Sequence, residues 1–205
     1  MTFIDLSVPI NEQTPVYPGD PRIEIRTSAT LEEDGYEVHL VCLGTHIGTH
    51  IDAPSHMLAG EKTLDQFPLE KFSGRGVYIK VEGSFNLEVI KRVPLAGNDI
   101  ILFDTGMSSL YSSPGYYDKY PAMTEAIANY LVEREVKMVG VDMCSVDYEP
   151  FSVHKILLEH DILIIENLTG LSRLQGKNFT VYAFPLPLQL DASPTRVVAE
   201  IETPG

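Results

Sequence analysis

The apolar positions change rhythm along the chain. In Ile23-Glu24-Ile25-Arg26, and again in Val77-Tyr78-Ile79-Lys80-Val81-Glu82, apolar and polar residues alternate. That is the period of a strand buried on one face. Val38 to Leu43 predicts another strand, and Tyr17-Pro18-Gly19-Asp20-Pro21 is a turn by composition. Further on, Ile100-Ile101-Leu102-Phe103 is uninterrupted, as a strand covered on both faces would be. A polar, tyrosine-rich loop follows from Thr105 to Tyr120. Pro121 predicts a helix start, with Met123, Ala126, Ile127, Tyr130 and Leu131 at helical spacing behind it. Val136–Val141 predicts a strand, Val153–Glu159 a helix and Ile162–Ile165 a buried strand, while Thr180–Phe184 and Arg196–Ile201 read as closing strands. Strands alternating with helices over residues 99–166 predict α/β packing. The antiparallel character of the first third adds the expectation of a mixed β-sheet core with flanking helices. No linker divides the chain, so residues 1–205 are expected to form a single domain.

Composition narrows the function classes. A chain of 205 residues can bury a core without disulfide or metal staples. Its net charge is −14 and no Lys/Arg cluster occurs, which argues against nucleic acid as a partner, because phosphate-backbone binding relies on clustered cations. The acidity is read as solubility. The first residues, MTFIDLSVPINEQ, lack a basic region followed by an apolar one. No apolar run approaches the ~20 residues that span a bilayer. The expectation is therefore a cytoplasmic protein with no membrane partner. Cys42 and Cys144, the two cysteines, each lie in an apolar run and are expected to be buried free thiols.

One short stretch changes the picture. Residues 44–56, GTHIGTHIDAPSH, hold three of the six histidines and an aspartate. His46, His50, Asp52 and His56 all occupy even positions, so an extended chain places them on one face. Ile47, Thr49, Ile51 and Ala53 take the other. A helix would also bring His46 near His50, but Gly48, three β-branched residues and Pro54 oppose it. A straight strand would put positions 46 and 56 about 33 Å apart, whereas metal–ligand bonds are only ~2.0–2.2 Å long. The chain must therefore curl. Gly48 permits a bend and Pro54 should end strand pairing. His46, His50 and Asp52 are then expected to converge on a metal, with His56 swinging back to the rim. A lone histidine is most often a hydrogen-bonded core or surface residue; this parity, broken by Gly and Pro, is a stronger signal.

Two further carboxylates end apolar runs, Asp142 after Val139-Gly140-Val141 and Glu166 after Ile162–Ile165. Ligands in open α/β sheets bind at the carboxyl ends of strands, and a buried carboxylate needs a partner or a metal. Glu166 could equally be a solvated strand end, and His154, twelve residues earlier, an ordinary helix-surface residue. Asp142 is expected to satisfy loop amides. His39 and His160 carry no spacing argument and are taken as structural.

The pattern His46-x-Gly48-Thr49-His50-x-Asp52-x-Pro54-x-His56 resembles the signature of the cyclase family of metal-dependent hydrolases, which includes bacterial kynurenine formamidase and isatin hydrolase. Pro15–Asp20 resembles the family's N-terminal substrate loop, and Ser145-Val146-Asp147 its second-half Ser-x-Asp. His154 and Glu166-Asn167-Leu168 match its later ligands. Phe184–Leu188 and Ser193–Arg196 resemble its C-terminal strands. The resemblance implies a swivelling β/β/α fold and a homodimer or homotetramer. It also implies His46, His50 and Asp52 on a first ion, Asp52, His154 and Glu166 on a second with Glu166 bridging, and His56 as proton carrier. The chain departs from kynurenine formamidases at Tyr17, where they carry tryptophan, and at Cys144, where they tend to carry proline. Tyrosine offers a smaller stacking face.

Nitrogen and oxygen ligands without thiolate suit Zn²⁺ or Mn²⁺, one or two ions per chain. Such an ion lowers the pKa of bound water toward ~7. His56 is the expected base, since an imidazole titrates near working pH. The expected activity is hydrolysis of an amide, formamide, lactone or lactam carbonyl in a small-molecule substrate. Tyr17 would contact that substrate, and loop aromatics such as Tyr116 would shape the pocket. Alternatives are a family hydrolase of a non-aryl substrate, a thiol hydrolase built on Cys144, and a non-enzymatic metal-binding module. Structural zinc sites are usually closed by four ligands, often cysteines; the spare His56 favours an open site.

Overall fold

Continuous apolar runs demand cover on both sides, and the fold supplies it. The computed structural model describes residues 1–202. Its strands are β1 (Thr2–Asp5), β2 (Glu24–Ala29), β3 (Val38–Cys42), β4 (His50–Asp52), β5 (Ser73–Lys80), β6 (Ile100–Asp104), β7 (Met138–Val141), β8 (Leu163–Glu166), β9 (Phe179–Tyr182), β10 (Ala192–Pro194) and β11 (Val198–Ile201). The α-helices are α1 (Leu31–Asp34), α2 (Leu87–Ile90), α3 (Glu125–Glu133) and α4 (Ser152–Glu159). Nine strands form one mixed sheet in the order β1-β11-β9-β5-β6-β7-β8-β4-β10. β5 through β8 run parallel, and antiparallel strands extend the sheet at both ends. This is the expected α/β domain with a mixed sheet and few helices.

Successive side chains of the central strands point to opposite faces, so each strand feeds two cores. Ile101, Phe103, Val139, Val141 and Ile164 pack with Ile127 and Leu131 of α3 and Leu157 of α4. Their neighbours Ile100, Leu102, Met138, Leu163 and Ile165 pack on the other face with Ile51, Phe179 and Val181. Every residue of β6, β7 and β8 is buried. Burying one such aliphatic side chain contributes roughly 1.5–3 kcal/mol, so these strands form the rigid frame from which Glu166 projects.

The edges differ from the sequence expectations. β1 carries no strong pattern, yet it closes the sheet against β11. α3 begins at Glu125 after Thr124, not at Pro121. Met123 instead donates its amide to Val146 O at 2.8 Å, which keeps the Pro121 segment extended alongside the loop after β7. β2 and β3 pair only with each other; at Ile23–Arg26 the apolar positions are still the covered ones, Ile23 buried and Ile25 half-buried, with Glu24 and Arg26 exposed, as the alternation predicts. All five residues of β3 are exposed. Cys42 is consequently exposed, while Cys144 is buried as expected. An apolar run that pairs with β2 alone is left without a second layer to bury it.

β5 changes partner midway, meeting β9 through Ser73–Arg75 and β6 through Gly76–Lys80. At the switch, a Cβ on Gly76 would sit 1.9 Å from the ring of Phe179. Gly76→Ala is therefore expected to destabilise the fold by about 1–3 kcal/mol through overpacking. A urea midpoint equal to that of the wild type would show that Phe179 gives way freely.

Candidate metal centre and its cavity

β4 is short, and its placement decides the site. It lies antiparallel to β8 with His50 opposite Glu166 and Ile51 opposite Ile165. Directly opposed residues hold their Cβ atoms ~4.5–5.5 Å apart. His50 and Asp52 thus face the site while Ile51 enters the core, as parity predicts. Outside β4 the chain curls. Gly48 takes a left-handed φ of 59°, which glycine adopts without steric cost, and His46 returns from that bend. Pro54 opens a 3₁₀ turn that ends at His56. His46 and His56 then lie with ring centroids 4.1 Å apart, and His46 and His50 with centroids 5.0 Å apart.

Second-half residues complete the cluster. Glu166 ends β8 and His154 sits on the first turns of α4; their Oε1 and Nε2 atoms are 3.2 Å apart. Asp147, in the loop after β7, holds both the ring and the start of its helix. Its Oδ1 is 2.5 Å from His154 Nδ1, and its Oδ2 accepts from the Val153 amide. Two donor sets have ligand atoms all within 4.8 Å of one another: His50, Asp52 and Glu166, and His46, Asp52 and His56. Asp52 is common to both. Proximity therefore groups the donors differently from the resemblance: Glu166 sits with His50, His56 joins His46, and His154 enters through Glu166.

The charge states follow from the contacts. Burial pushes His50 down to about 4, so it is neutral at pH 7. Its Nδ1 lies 2.8 Å from the Gly48 carbonyl oxygen, an acceptor only, so Nδ1 carries the proton and Nε2 a lone pair. That lone pair faces Asp52 Oδ1 and Glu166 Oε2, each at 3.5 Å. Burial raises Glu166 to about 7, with the negative Asp52 adding to the rise and His154 opposing it. For Asp52 burial works against ionisation, but the neighbouring His46 and His50 outweigh it and hold the carboxyl below its usual range. His46 Nδ1 lies 2.9 Å from Asp52 Oδ1. Among the described residues, His50 Nε2 and both Asp52 oxygens are buried without a hydrogen-bond partner. Leaving such a group unsatisfied costs ~1–3 kcal/mol, more when it is charged. Burial opposes protonation of His46 and His154 too. Asp52 and Asp191 nevertheless raise His46 to about 10, and Asp147 and Glu166 do the same for His154.

A cavity of about 230 Å³ opens beside these donors, lined on its far side by Pro15, Tyr17, Met57, Tyr117 and Phe151. Tyr17 and Tyr117 meet edge to face at 5.6 Å. Tyr116, expected at the pocket, is instead 1% exposed behind the wall. Its hydroxyl donates to Asn167 Oδ1, whose Nδ2 donates to the Gly48 carbonyl. Asp142 takes its expected role, accepting from the amides and hydroxyls of Thr105 and Ser108 and from the Gly106 amide. His39 and His160 lie away from the cluster, His39 beside Glu37 and His160 on the Ile156 carbonyl. Sequence reasoning missed Asp147, Asn167 and Asp191 as site residues. The Ser145-Val146-Asp147 match was a signal for the first; the other two are brought in by strand pairing and by a left-handed residue after β8.

The family model described as "Putative cyclase" matches residues 4–148. An uncharacterized protein of Methanocaldococcus jannaschii is 35% identical over 185 residues, 89% of this chain and 91% of its own length. The kynurenine formamidase of Bacillus cytotoxicus is 30% identical over 203 residues, 96% of each chain. A solved structure described as a potential metal-dependent hydrolase with cyclase activity aligns with a TM-score of 0.81 at 27% identity over 99% of both chains. Isatin hydrolase A from Labrenzia aggregata shares the fold, with a TM-score of 0.87 at 22% identity over 97% of this chain and 93% of its own.

Cys144 borders the cavity, but burial pushes its thiol up to about 12. Thiolate is the reactive form, so Cys144 is expected to resist iodoacetamide from pH 7 to 9 in the folded protein while exposed Cys42 labels. Mass spectrometry of the alkylated peptides would decide; rapid labelling of Cys144 at pH 7 would restore a thiol nucleophile.

Proposed function

This chain belongs to the cyclase family, and from that premise we propose that it is a divalent-metal-dependent hydrolase of an amide, formamide, lactone or lactam carbonyl in a small aromatic substrate. The observation that carries the reading is the buried lone pair of His50 Nε2, which faces Asp52 Oδ1 and Glu166 Oε2 at 3.5 Å each. A cation is the partner that satisfies all three at once, and the absence of thiolate among the donors suits Zn²⁺ or Mn²⁺. In this reading His46, His50, Asp52, His154 and Glu166 hold one or two ions, with Asp52 shared. An ion bound there supplies Lewis-acid chemistry, lowering the pKa of a bound water and stabilising negative charge on a carbonyl oxygen.

The chain's own residues do the rest. Each metal-facing imidazole arrives oriented, because its other nitrogen is held by an oxygen: His46 by Asp191, His50 by Gly48 and His154 by Asp147. Such contacts fix the ring and its tautomer before any ligand binds. His56 stands at the rim, and burial lowers its pKa below the usual histidine value. It is therefore ready to accept a proton near neutral pH and to return it to the leaving nitrogen or oxygen. Tyr17 and Tyr117 offer ring faces and edges to an aromatic substrate. Among the described residues no Lys or Arg lines the cavity, so no long cationic side chain is there to pair with an anionic substrate. The same open cavity argues against a purely structural metal site, which would close its ligand shell. The names of relatives, kynurenine formamidase and isatin hydrolase, make aryl formamides and lactams the first substrates to try.

His56→Ala is expected to keep its metal and lose about 10²–10⁴ in turnover, the usual worth of a general base. Asp52→Ala is expected to lose metal and activity together. Elemental analysis beside turnover on N-formylkynurenine, isatin and simple lactones measures both. Full activity in His56→Ala would remove the assigned base. Inactivity of the metal-replete wild type on all three compounds would retire the formamidase assignment.

A further inference from the structure

The oxygen holding His46 differs from those holding His50 and His154. Asp191 Oδ2 lies 2.9 Å from His46 Nε2 and also 3.6 Å from His56 Nδ1. One carboxylate oxygen therefore stands between a donor of the cluster and the residue read above as its base. The backbone around it is tied to the donor strand. The Asp191 carbonyl accepts from the Ala53 amide at 2.8 Å, and the adjoining Ala192 pairs with Asp52 across β10 and β4. Asp191 is thus tied through its backbone to the strand that carries Asp52. With Nε2 engaged by Asp191, His46 presents Nδ1, the nitrogen 2.9 Å from Asp52 Oδ1. His46 is partly exposed, at 21% of its side chain, and lies outside any strand. Burial and backbone pairing, which fix His50, do not fix His46.

We propose that Asp191 is a positioning residue of this site, holding the His46 ring so that Nδ1 faces Asp52 and setting the divalent-cation affinity of the His46–Asp52 half of the donor set. The role rests on the hydrolase reading above but concerns binding before any turnover. An unheld imidazole rotates and must lose that freedom when it binds a cation; a held one has lost it on folding. An oxygen acceptor suffices for this, so orientation and charge can be separated experimentally. Asp191→Asn keeps a carbonyl oxygen at the position, whereas Asp191→Leu removes it at similar size.

The test titrates metal-free wild type and both variants with Zn²⁺ and with Mn²⁺ against a competing chelator. It also follows the Nε2–H proton of His46 by NMR in the metal-free proteins, with thermal melts alongside. Asp191→Leu is expected to bind about 10- to 100-fold more weakly, the usual effect of losing a residue that orients a ligand. Asp191→Asn should stay close to wild type, and the hydrogen-bonded Nε2–H signal should persist in wild type and Asn and vanish in Leu. Unchanged affinity in Asp191→Leu would overturn the proposal. So would equal losses in Asn and Leu, which would make charge rather than orientation the cause. Failure of the wild type to bind either ion would instead remove the hydrolase reading. Asp191 would then be judged on the His46 signal, whose absence in the wild type sinks the proposal without any variant.

Discussion

A nitrogen lone pair and two carboxyl groups face one another inside this protein, and the rest of the site is arranged around that conflict. His50 is neutral because it is buried, and its single proton is directed at the Gly48 carbonyl. Its other nitrogen then has no proton to offer Asp52 or Glu166. Bulk water would ordinarily solvate such groups, but here they are largely withdrawn from it; His50 and Asp52 are 2% and 1% exposed. Folding a chain into an arrangement that leaves acceptors unsatisfied is unfavourable by itself. A divalent cation would be a partner for the lone pair and the carboxyl groups together.

The strand order makes the conflict unavoidable. β6, β7 and β8 are buried along their whole length and each feeds two packed cores, so a slip of one residue would exchange side chains of different size between close-packed layers. That fixes the end of β8 and with it Glu166. β4 then adds to β8 antiparallel, with His50 opposite Glu166. The same packing carries α4 and His154 to the site, because α4 leads directly into β8 and its Leu157 carbonyl accepts from the Ile162 amide. Apolar burial, far stronger in sum than any one contact here, positions the polar cluster.

Around the donors lies a second layer that controls which nitrogen each imidazole presents. Gly48, Asp147 and Asp191 hold the rings, while Tyr116 and Asn167 brace the Gly48 carbonyl from behind. Phe151 and Asn167, both bordering the cavity, adopt left-handed backbone, a conformation that asparagine tolerates better than most residues. Beyond the donors the cavity is lined by Tyr17, Tyr117 and Phe151 and, among the described residues, by no Lys or Arg, so recognition there rests on ring contacts and on the metal-facing cluster.

Much of this was legible in the order of residues. Period and spacing marked the buried strands, the curl at Gly48 and Pro54, and the shared face of His50 and Asp52, because these depend on local backbone geometry. Asp142 was also legible, as a carboxylate ending an apolar strand beside a loop in need of acceptors. What sequence could not determine depends on which strands become neighbours. The exposure of β3 and Cys42, the late start of α3, the withdrawal of Tyr116 behind the cavity wall and the arrival of Asp191 beside His46 all depend on which distant segments meet and which do not. Asp191 lies 145 positions from His46, and no local period links them. The sequence by itself determined which side chains can bind a cation and how the chain bends to present them. Tertiary structure decided which oxygens hold those side chains in place, because strand pairing and burial set distances that no spacing along the chain encodes.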